Sequence, residues 1–469
     1  MARRRKPLPL IENLKIETAA AQGKSLGRYG DKVVFVTGVV PGDVVDVQVT
    51  KKRKSYLEGR ATKIHEYSSE RSEPFCEHFG VCGGCKWQNM DYQFQLKYKE
   101  QQVVDQFTRI GHLEVEDWLP IIPAPEIKLY RNKLEFTFSN KKWLTIEEIQ
   151  SDQEFDNRNG LGFHIPGAFD KVVDLSDCHL QAEPSNSIRQ FIRDFTQENE
   201  FSYFDLRQQN GLLRNLIIRS TSIGEVMVIV SFFEDDEDKR KLLLDAVKEK
   251  FPQITSLQYV INEKKNDSLF DQNFICYAGN DHIIEQLGEL RFKIGPKSFF
   301  QTNSKQALEL YNSAIAFAEF TENDVVYDLY SGTGTISNII AKKAGKVIGV
   351  EQIEEAVLAS IENSSINNID NTVFFTGDTK DVLNPSFFEK HGKPDVILVD
   401  PPRAGLHEKV VMEILKASPE RFVYISCNPA TQARDLALMK EEYKIEKVQA
   451  VDMFPQTHHV ENIAFLRKR

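Results

Sequence analysis

No run of about 18 apolar residues occurs in this 469-residue chain, so no membrane-spanning helix is expected. The basic start, "MARRRKPLPLIENLKIE", is not followed by the apolar core of a secretory signal. Only six cysteines are present, too few for a disulfide scaffold at this length, and the cytoplasm is the expected compartment. Internal repeats and low-complexity segments are also missing. Positive charge does not dominate either, and a net charge of −10 argues against a uniformly basic polyanion binder. That average conceals a division. Residues 1–65 carry 14 Lys and Arg against 6 Asp and Glu, a local +8, which leaves −18 for the remainder. A basic module on an acidic body suits local contact with a polyanion, although Arg3–Lys6 alone reads equally well as a solvated tail.

Length implies about three domains. Residues 10–65 alternate in the manner of strands ("DKVVFVTG", "DVVDVQVT", "SYLEGRATKI"), with a turn at Val40-Pro41-Gly42-Asp43. Several short strands in so few residues predict a small closed barrel of the OB type. Lys51–Lys54 falls in a connecting loop beside Tyr56, a pairing of cations and ring that suits single-stranded nucleic acid. A cysteine-bearing loop (75–90) and a helix over 91–112 follow. Residues 120–290 mix short strands with a helix near 240–250, and Gly160–Asp170, rich in turn formers, reads as loop. From about 305 apolar strands alternate with helices, which predicts a parallel sheet covered on both faces. The last two strands, "IEKVQAVDMF" and "ENIAFLRK", read as an antiparallel hairpin at one edge. The expected domains are 1–66, 67–295 and 296–469.

The first of those strands runs into "DLYSGTG". Gly332 and Gly334 there let a backbone approach a ligand at the carboxyl ends of the strands. A dinucleotide fingerprint would need a third glycine where Ser337 stands. The next strands end at Glu351, placed for ribose hydroxyls, and at Asp378, placed for an adenine amino group. Acids at successive strand ends suit S-adenosylmethionine, which is cationic and has no phosphate to repel. The fourth strand ends in Asp400-Pro401-Pro402-Arg403, where two prolines aim Asp400 over the crevice.

The fifth strand delivers Cys427 to the same crevice, just before a helix whose first turn includes Pro429. That helix start is expected to lower a thiol pKa that is about 8.5 when free. Methyl transfer to an amine or hydroxyl needs no nucleophilic thiol, but methylating a pyrimidine carbon does. C5 of uracil is a poor nucleophile until a thiolate adds to C6, and a base must then remove the C5 proton. "FPQTHHVEN" offers Glu461 as that base, with His458 and His459 as rivals.

In order, "SFFQTN", "DLYSGTG", "DPPRAG", "SCNP" and "HHVEN" make the C-terminal 170 or so residues resemble the S-adenosylmethionine-dependent RNA (uracil-5-)-methyltransferases. The resemblance implies a multidomain α/β protein with a Rossmann-like class I methyltransferase domain. It implies Cys427 as nucleophile, Glu461 as base and Asp400 near both the target base and the methyl donor. Gln301, Tyr330, Glu351 and Asp400 would contact the cofactor, Asp378 would lie near the adenine, and Phe299 and Gln301 would meet the flipped base. Residues alone leave Phe299 and Phe300 open as core. Many family members have Cys where Ser331 stands.

"PFCEHFGVCGGCKWQ" places Cys76, Cys82 and Cys85 within ten residues, and "DLSDCHL" supplies Cys178. Such a set reads as a metal centre, zinc or iron–sulfur, with His78 and His179 keeping a three-Cys, one-His zinc site open. Cys276 reads as packing. The ribosomal-RNA branch of the family carries a four-iron cluster on this pattern, so the resemblance implies [4Fe–4S] on Cys76, Cys82, Cys85 and Cys178, in a central α+β domain. The N-terminal barrel resembles the TRAM module of the same branch, whereas tRNA-directed members look like the catalytic part without barrel or cluster. The expectation is therefore a monomeric enzyme acting on a loop uridine of 23S ribosomal RNA, with Arg131, Lys133 and Arg214 as candidate phosphate contacts. Competing readings are the same chemistry on tRNA, an iron–sulfur dinucleotide oxidoreductase, and an RNA-binding chaperone on a dead methyltransferase fold.

Overall fold

A computed structural model describes residues 8–151 and 157–469; Arg3–Lys6 lies outside the described residues. Strands Leu10–Ala19, Ser25–Tyr29, Lys32–Thr37, Val44–Lys52 and Tyr56–Glu66 close into a barrel. Alternation drives it: in "VVDVQV" Val45, Val47 and Val49 point into the core with Ile11, Ile16, Val34 and Val36, while Asp46 and Gln48 face outward. Closure leaves no unpaired sheet edge. The Val40–Asp43 turn is locked by its own acid. Buried Asp43 accepts the Val40 N–H at 2.7 Å, the Ser68 N–H at 2.9 Å and two Arg71 guanidinium hydrogens at 2.8 and 2.7 Å. That set also fixes the barrel's exit.

The cysteine loop leads to the helix Tyr92–Gln106, started by an Asp91 cap on the Gln93 N–H. A seven-stranded sheet follows, in the order 274–279, 256–261, 226–232, 213–220, 133–139, 160–165, 168–174. Helices Ser185–Glu198 and Glu237–Lys250 cover one of its faces over Leu134, Phe136, Phe138, Leu216, Ile218 and Val228. Gly160–Asp170 is not a loop but most of a hairpin. A Cβ on Gly162 would lie 2.0 Å from the Val173 carbonyl, so this glycine permits close strand approach rather than a turn.

The C-terminal sheet has the order 372–376, 346–351, 325–329, 396–399, 421–426, 461–468, 443–451, 115–122. Its first five strands are parallel and mostly apolar inside, while Glu461–Lys468 runs antiparallel to both neighbours. This is the class I methyltransferase arrangement. The terminal hairpin is not the edge: Val115–Ile122 pairs parallel to Tyr443–Val451 beyond it. No helix among the described residues is long and apolar enough to cross a membrane.

Candidate active site

Strand order reverses between Val325–Leu329 and Val396–Val399, which opens a crevice above the carboxyl ends. The first strand leaves through Tyr330, at φ +67°, and the Tyr330 and Ser331 N–H groups both donate to the Val350 carbonyl, at 2.9 and 3.1 Å. Gly332, at φ +54°, has open space where a Cβ would stand. Its N–H donates to Glu351 Oε2 at 3.0 Å, and Glu351 Oε1 accepts the Ile353 N–H at 2.9 Å. Glu351 thereby ties the second strand's end to the glycine turn. Asp378 caps Lys380 and pairs with its ammonium, which holds this carboxyl below its ordinary range.

Asp328, which the motif reading passed over, is fully buried beneath the turn. Ser337 donates to its Oδ2 at 2.5 Å, while its Oδ1 and the Ser331 Oγ have no partner. Burial pushes Asp328 up to about 7. Unspent buried acceptors under an open glycine turn fit a ligand bearing an ammonium or hydroxyl groups, as S-adenosylmethionine does.

At the other end of the crevice the strand Arg421–Ser426 pairs with Glu461–Lys468, the last pair being Ser426 and Asn462. One further step along this antiparallel register sets Cys427 opposite Glu461. Cys427 is half-buried and Glu461 buried. Burial, then the charges of Glu461 and Asp400, push the thiol up to about 11, against which Arg403 pulls it down. This corrects the expectation of a lowered thiol pKa. The helix Pro429–Ala437 offers Cys427 little, because Pro429 has no N–H and the Asn428 N–H is spent on Ser426 Oγ at 3.1 Å. Burial, then Asp328, raises Asp400 to about 7. Burial, then Asp400, raises Glu461 well above the carboxylate range.

Arg403, quoted in "DPPRAG" but given no role from sequence, is the cation among these acids. Its Nη2 donates to His459 Nδ1 at 2.7 Å. His458 and His459 stack with ring centroids 4.1 Å apart. Burial, followed by neighbouring cations and, for His459, by His458 itself, lowers them to about 4 and about 3. Both rings are therefore neutral near pH 7, and the His459 Nδ1 lone pair is occupied.

Phe299 is 71% exposed, whereas Phe300 is 8% exposed and packs in the core. Gln301 is half-buried near the buried Tyr311 hydroxyl, whose ionisation burial and the charges of Asp400 and Glu461 oppose. Tyr311 was invisible from sequence because it sits in the apolar spacing of the helix Ser304–Ala318 and reads as core. The structure thus brings Gln301, Tyr330, Glu351, Asp400, Cys427 and Glu461 around one crevice, with Asp378 at its far rim.

Cys76, Cys82, Cys85 and Cys178 line a separate cavity of about 30 Å³. Burial raises all four thiols, Cys85 to about 11 and Cys178 to about 12, and the cysteines' mutual repulsion adds to this at Cys82, Cys85 and Cys178. Among the described residues no group of three or more His, Cys, Asp or Glu is arranged to hold a metal ion. His78 and His179 line the same cavity, and the His78 Nε2 is engaged by Ser176, 2.9 Å from its Oγ and 3.0 Å from its nitrogen. The donor chemistry, four soft sulfurs lining one cavity, suits a thiolate-bound metal centre. Cys276 is exposed on an edge strand rather than packed.

Arg214 is not available to phosphate. It is 1% exposed, donates to the Asn262 and Lys264 carbonyls and to Asp267, and stacks on Phe204. Arg131 lies over the Phe454 ring at 5.2 Å, and Lys133 stays half-buried beside Arg219.

Comparison with known proteins bears on this geometry. The family model described as tRNA (uracil-5-)-methyltransferase matches residues 204–384 and 387–469, and the TRAM domain model matches residues 11–62. An uncharacterized RNA methyltransferase of Bacteroides thetaiotaomicron is 52% identical, covering 96% of this chain and 100% of that protein. One from Porphyromonas gingivalis is 53% identical over 97% of this chain and 99% of its own length. Among solved structures, the Pyrococcus abyssi tRNA (uracil-54, C5)-methyltransferase in complex with S-adenosyl-L-homocysteine superposes with a TM-score of 0.74. It is 28% identical and covers 97% of this chain and 100% of that one. A tRNA enzyme matching nearly the whole chain overturns the expectation that tRNA-directed members lack the N-terminal part.

Proposed function

We propose that this chain, which belongs to the tRNA (uracil-5-)-methyltransferase family and is an S-adenosylmethionine-dependent RNA methyltransferase, methylates C5 of a uracil in 23S ribosomal RNA through a bond between Cys427 and C6. The observation that carries the covalent route is the register that sets Cys427 opposite Glu461. A nucleophile and a base on adjacent strand ends reach the two adjacent ring carbons, C6 and C5.

When bound, S-adenosylmethionine supplies an electrophilic methyl group and a positive charge. Gln301, Tyr330, Glu351 and Asp400 would hold it, with Asp378 near the adenine. Cys427 gives its proton to solvent water, with the Arg403 guanidinium favouring the thiolate, which adds to C6 of the uracil. The electron pair moves toward O4, which would leave C5 nucleophilic toward the methyl group held by the crevice residues. Glu461 as carboxylate accepts the C5 proton, the C6–S bond breaks, and the thiolate is released. A raised carboxyl pKa suits a group that must hold a proton briefly at neutral pH. Occupied and neutral, His459 is left to orient Arg403. The target uridine must leave its stack to reach this crevice, and Phe299, exposed beside Gln301, offers it a ring face.

The choice of 23S rRNA is supported by the likeness of the cysteine pattern at Cys76, Cys82, Cys85 and Cys178 to the ribosomal-RNA branch, while the barrel does not discriminate. The whole-length match to a tRNA enzyme favours tRNA as the second reading. Incubation with S-adenosylmethionine and unmodified transcripts of each, followed by mass spectrometry of nucleosides, separates them: 5-methyluridine is expected in 23S rRNA. Its appearance only in tRNA, or methylation of another base, overturns the proposal. The four cysteines are proposed to hold a [4Fe–4S] cluster that secures their loop. A broad absorbance near 400 nm in anaerobically prepared protein, lost in Cys85→Ser, is expected, and a colourless, iron-free protein excludes it. The proposal also takes the enzyme to be a cytoplasmic monomer.

A further inference from the structure

The segment that carries Phe299 and Gln301 packs Phe300 into the core beneath the methyltransferase sheet, but its backbone pairs with no strand of that sheet. Two side chains of the central sheet strap it down. Arg219, on the strand Leu213–Ser220, directs one guanidinium nitrogen at two carbonyls of the turn before Phe299, Ser298 at 2.8 Å and Pro296 at 3.3 Å. Asn132, just before the strand Lys133–Ser139, donates to the Gln301 carbonyl at 2.9 Å and to Ser304 Oγ at 2.7 Å, while its own N–H donates to the Thr302 carbonyl at 2.8 Å. The two anchors are themselves joined. Arg219 lies opposite Lys133 in the register, and the Ser220 N–H donates to the Asn132 carbonyl at 2.9 Å. Ser304 passes the connection on to buried Glu285 at 2.7 Å.

Arg219 is 7% exposed, and among the described residues its Nε has no partner and no carboxylate bonds it. A buried charge satisfied only by carbonyls is costly for a position concerned with packing alone. The turn it holds is pinned internally as well, by Gly295 N–H to Ser298 Oγ at 3.0 Å. What leaves this rigid turn is the most exposed phenylalanine among the described residues, next to a core phenylalanine and a glutamine that faces the acids.

We propose that Arg219 and Asn132 are positioning residues for base capture, holding 295–302 so that Phe299 meets the extruded pyrimidine while Gln301 stays over the crevice. This inference rests on the reading of Phe299 given above. A ring on an unanchored turn samples many orientations, and an ångström of misplacement at a reacting centre costs about a hundredfold in rate.

The experiment uses full-length protein and a 23S rRNA transcript substituted with 5-fluorouridine, which cannot lose the C5 substituent as a proton and so accumulates the covalent complex. Single-turnover formation of that complex and S-adenosylmethionine affinity are measured for Arg219→Gln, Arg219→Lys, Asn132→Ala, Phe299→Ala and the Arg219→Gln/Phe299→Ala double variant. Complex formation is expected to fall at least about tenfold in Arg219→Gln and Asn132→Ala, with partial recovery in Arg219→Lys and cofactor affinity within about twofold of the parent. The double variant is expected to be no slower than the slower single, because Arg219 acts through Phe299. Parental rates in both Arg219→Gln and Asn132→Ala, or fully multiplicative losses in the double variant, overturn the inference. Loss of cofactor affinity in step with the rate does so too, since that marks general disruption. Should Arg219→Gln fail to fold, Asn132→Ala and Arg219→Lys decide by the same criteria. If Phe299→Ala alone reacts at the parental rate, the reading of Phe299 fails, and that result is distinct from failure of the straps.

Discussion

Cys427 and Glu461 stand across from one another, one step past the last paired residues, Ser426 and Asn462, of two antiparallel strands. Because the crevice also holds Asp400 and Arg403, the thiol is poised between two acids that oppose its ionisation and one cation that favours it.

Glu461→Gln removes the proton acceptor and leaves the nucleophile. Methylated protein–RNA complex is expected to accumulate and survive denaturing electrophoresis, while turnover falls by about 10²–10⁴. Normal turnover without such a complex takes Glu461 out of the base role and returns His458 to consideration.

Asp400→Asn tests the electrostatics of the crevice. Asp400 is raised to about 7 in the folded protein, from an ordinary 3.8. Between those values the unfolded chain has already ionised this group and the folded chain has not, so stability declines as pH rises through about 7. The asparagine variant lacks that loss. Without cofactor it is expected to melt above the parent at pH 8, by on the order of 2 kcal/mol after screening by crevice water, and the gain should vanish near pH 4. A constant difference across this range contradicts the assignment.

Lys51, Lys52, Arg53 and Lys54 surround an exposed turn of the barrel, and Tyr56 lies edge-on to Phe35 beyond it. Replacing the four cations by alanine is expected to flatten the salt dependence of RNA binding by about 0.7 per lost phosphate contact, with cofactor affinity unchanged. An unaltered slope means that the turn does not touch RNA.

Much of this architecture is local and therefore legible in sequence. Period-two alternation in "VVDVQV" and five apolar runs separated by helices carry the barrel and the parallel sheet almost unaided. Long-range pairing is not legible. Val115–Ile122 joins Tyr443–Val451 across more than 300 residues, and nothing local in "VEDWLPII" specifies its partner. Gly160–Asp174 misleads because its glycines serve strand contact, while turn chemistry is what glycine usually signals. In the crevice, residues at motif ends could be named, since strands must deliver them there. Arg403, Asp328 and Tyr311 could not, because their importance lies in which buried groups surround them. The thiol pKa went the wrong way for the same reason: helix proximity shows in sequence, whereas the opposing charges of Glu461 and Asp400 appear only once the strands are paired.

The most direct measurement is tritium release from RNA labelled at uracil C5, in the presence of S-adenosylmethionine, by the parent and by Cys427→Ala. The account predicts release by the parent in step with methylation and none above background in the variant. Undiminished release by Cys427→Ala would contradict it, because C5 would then be activated without the sulfur.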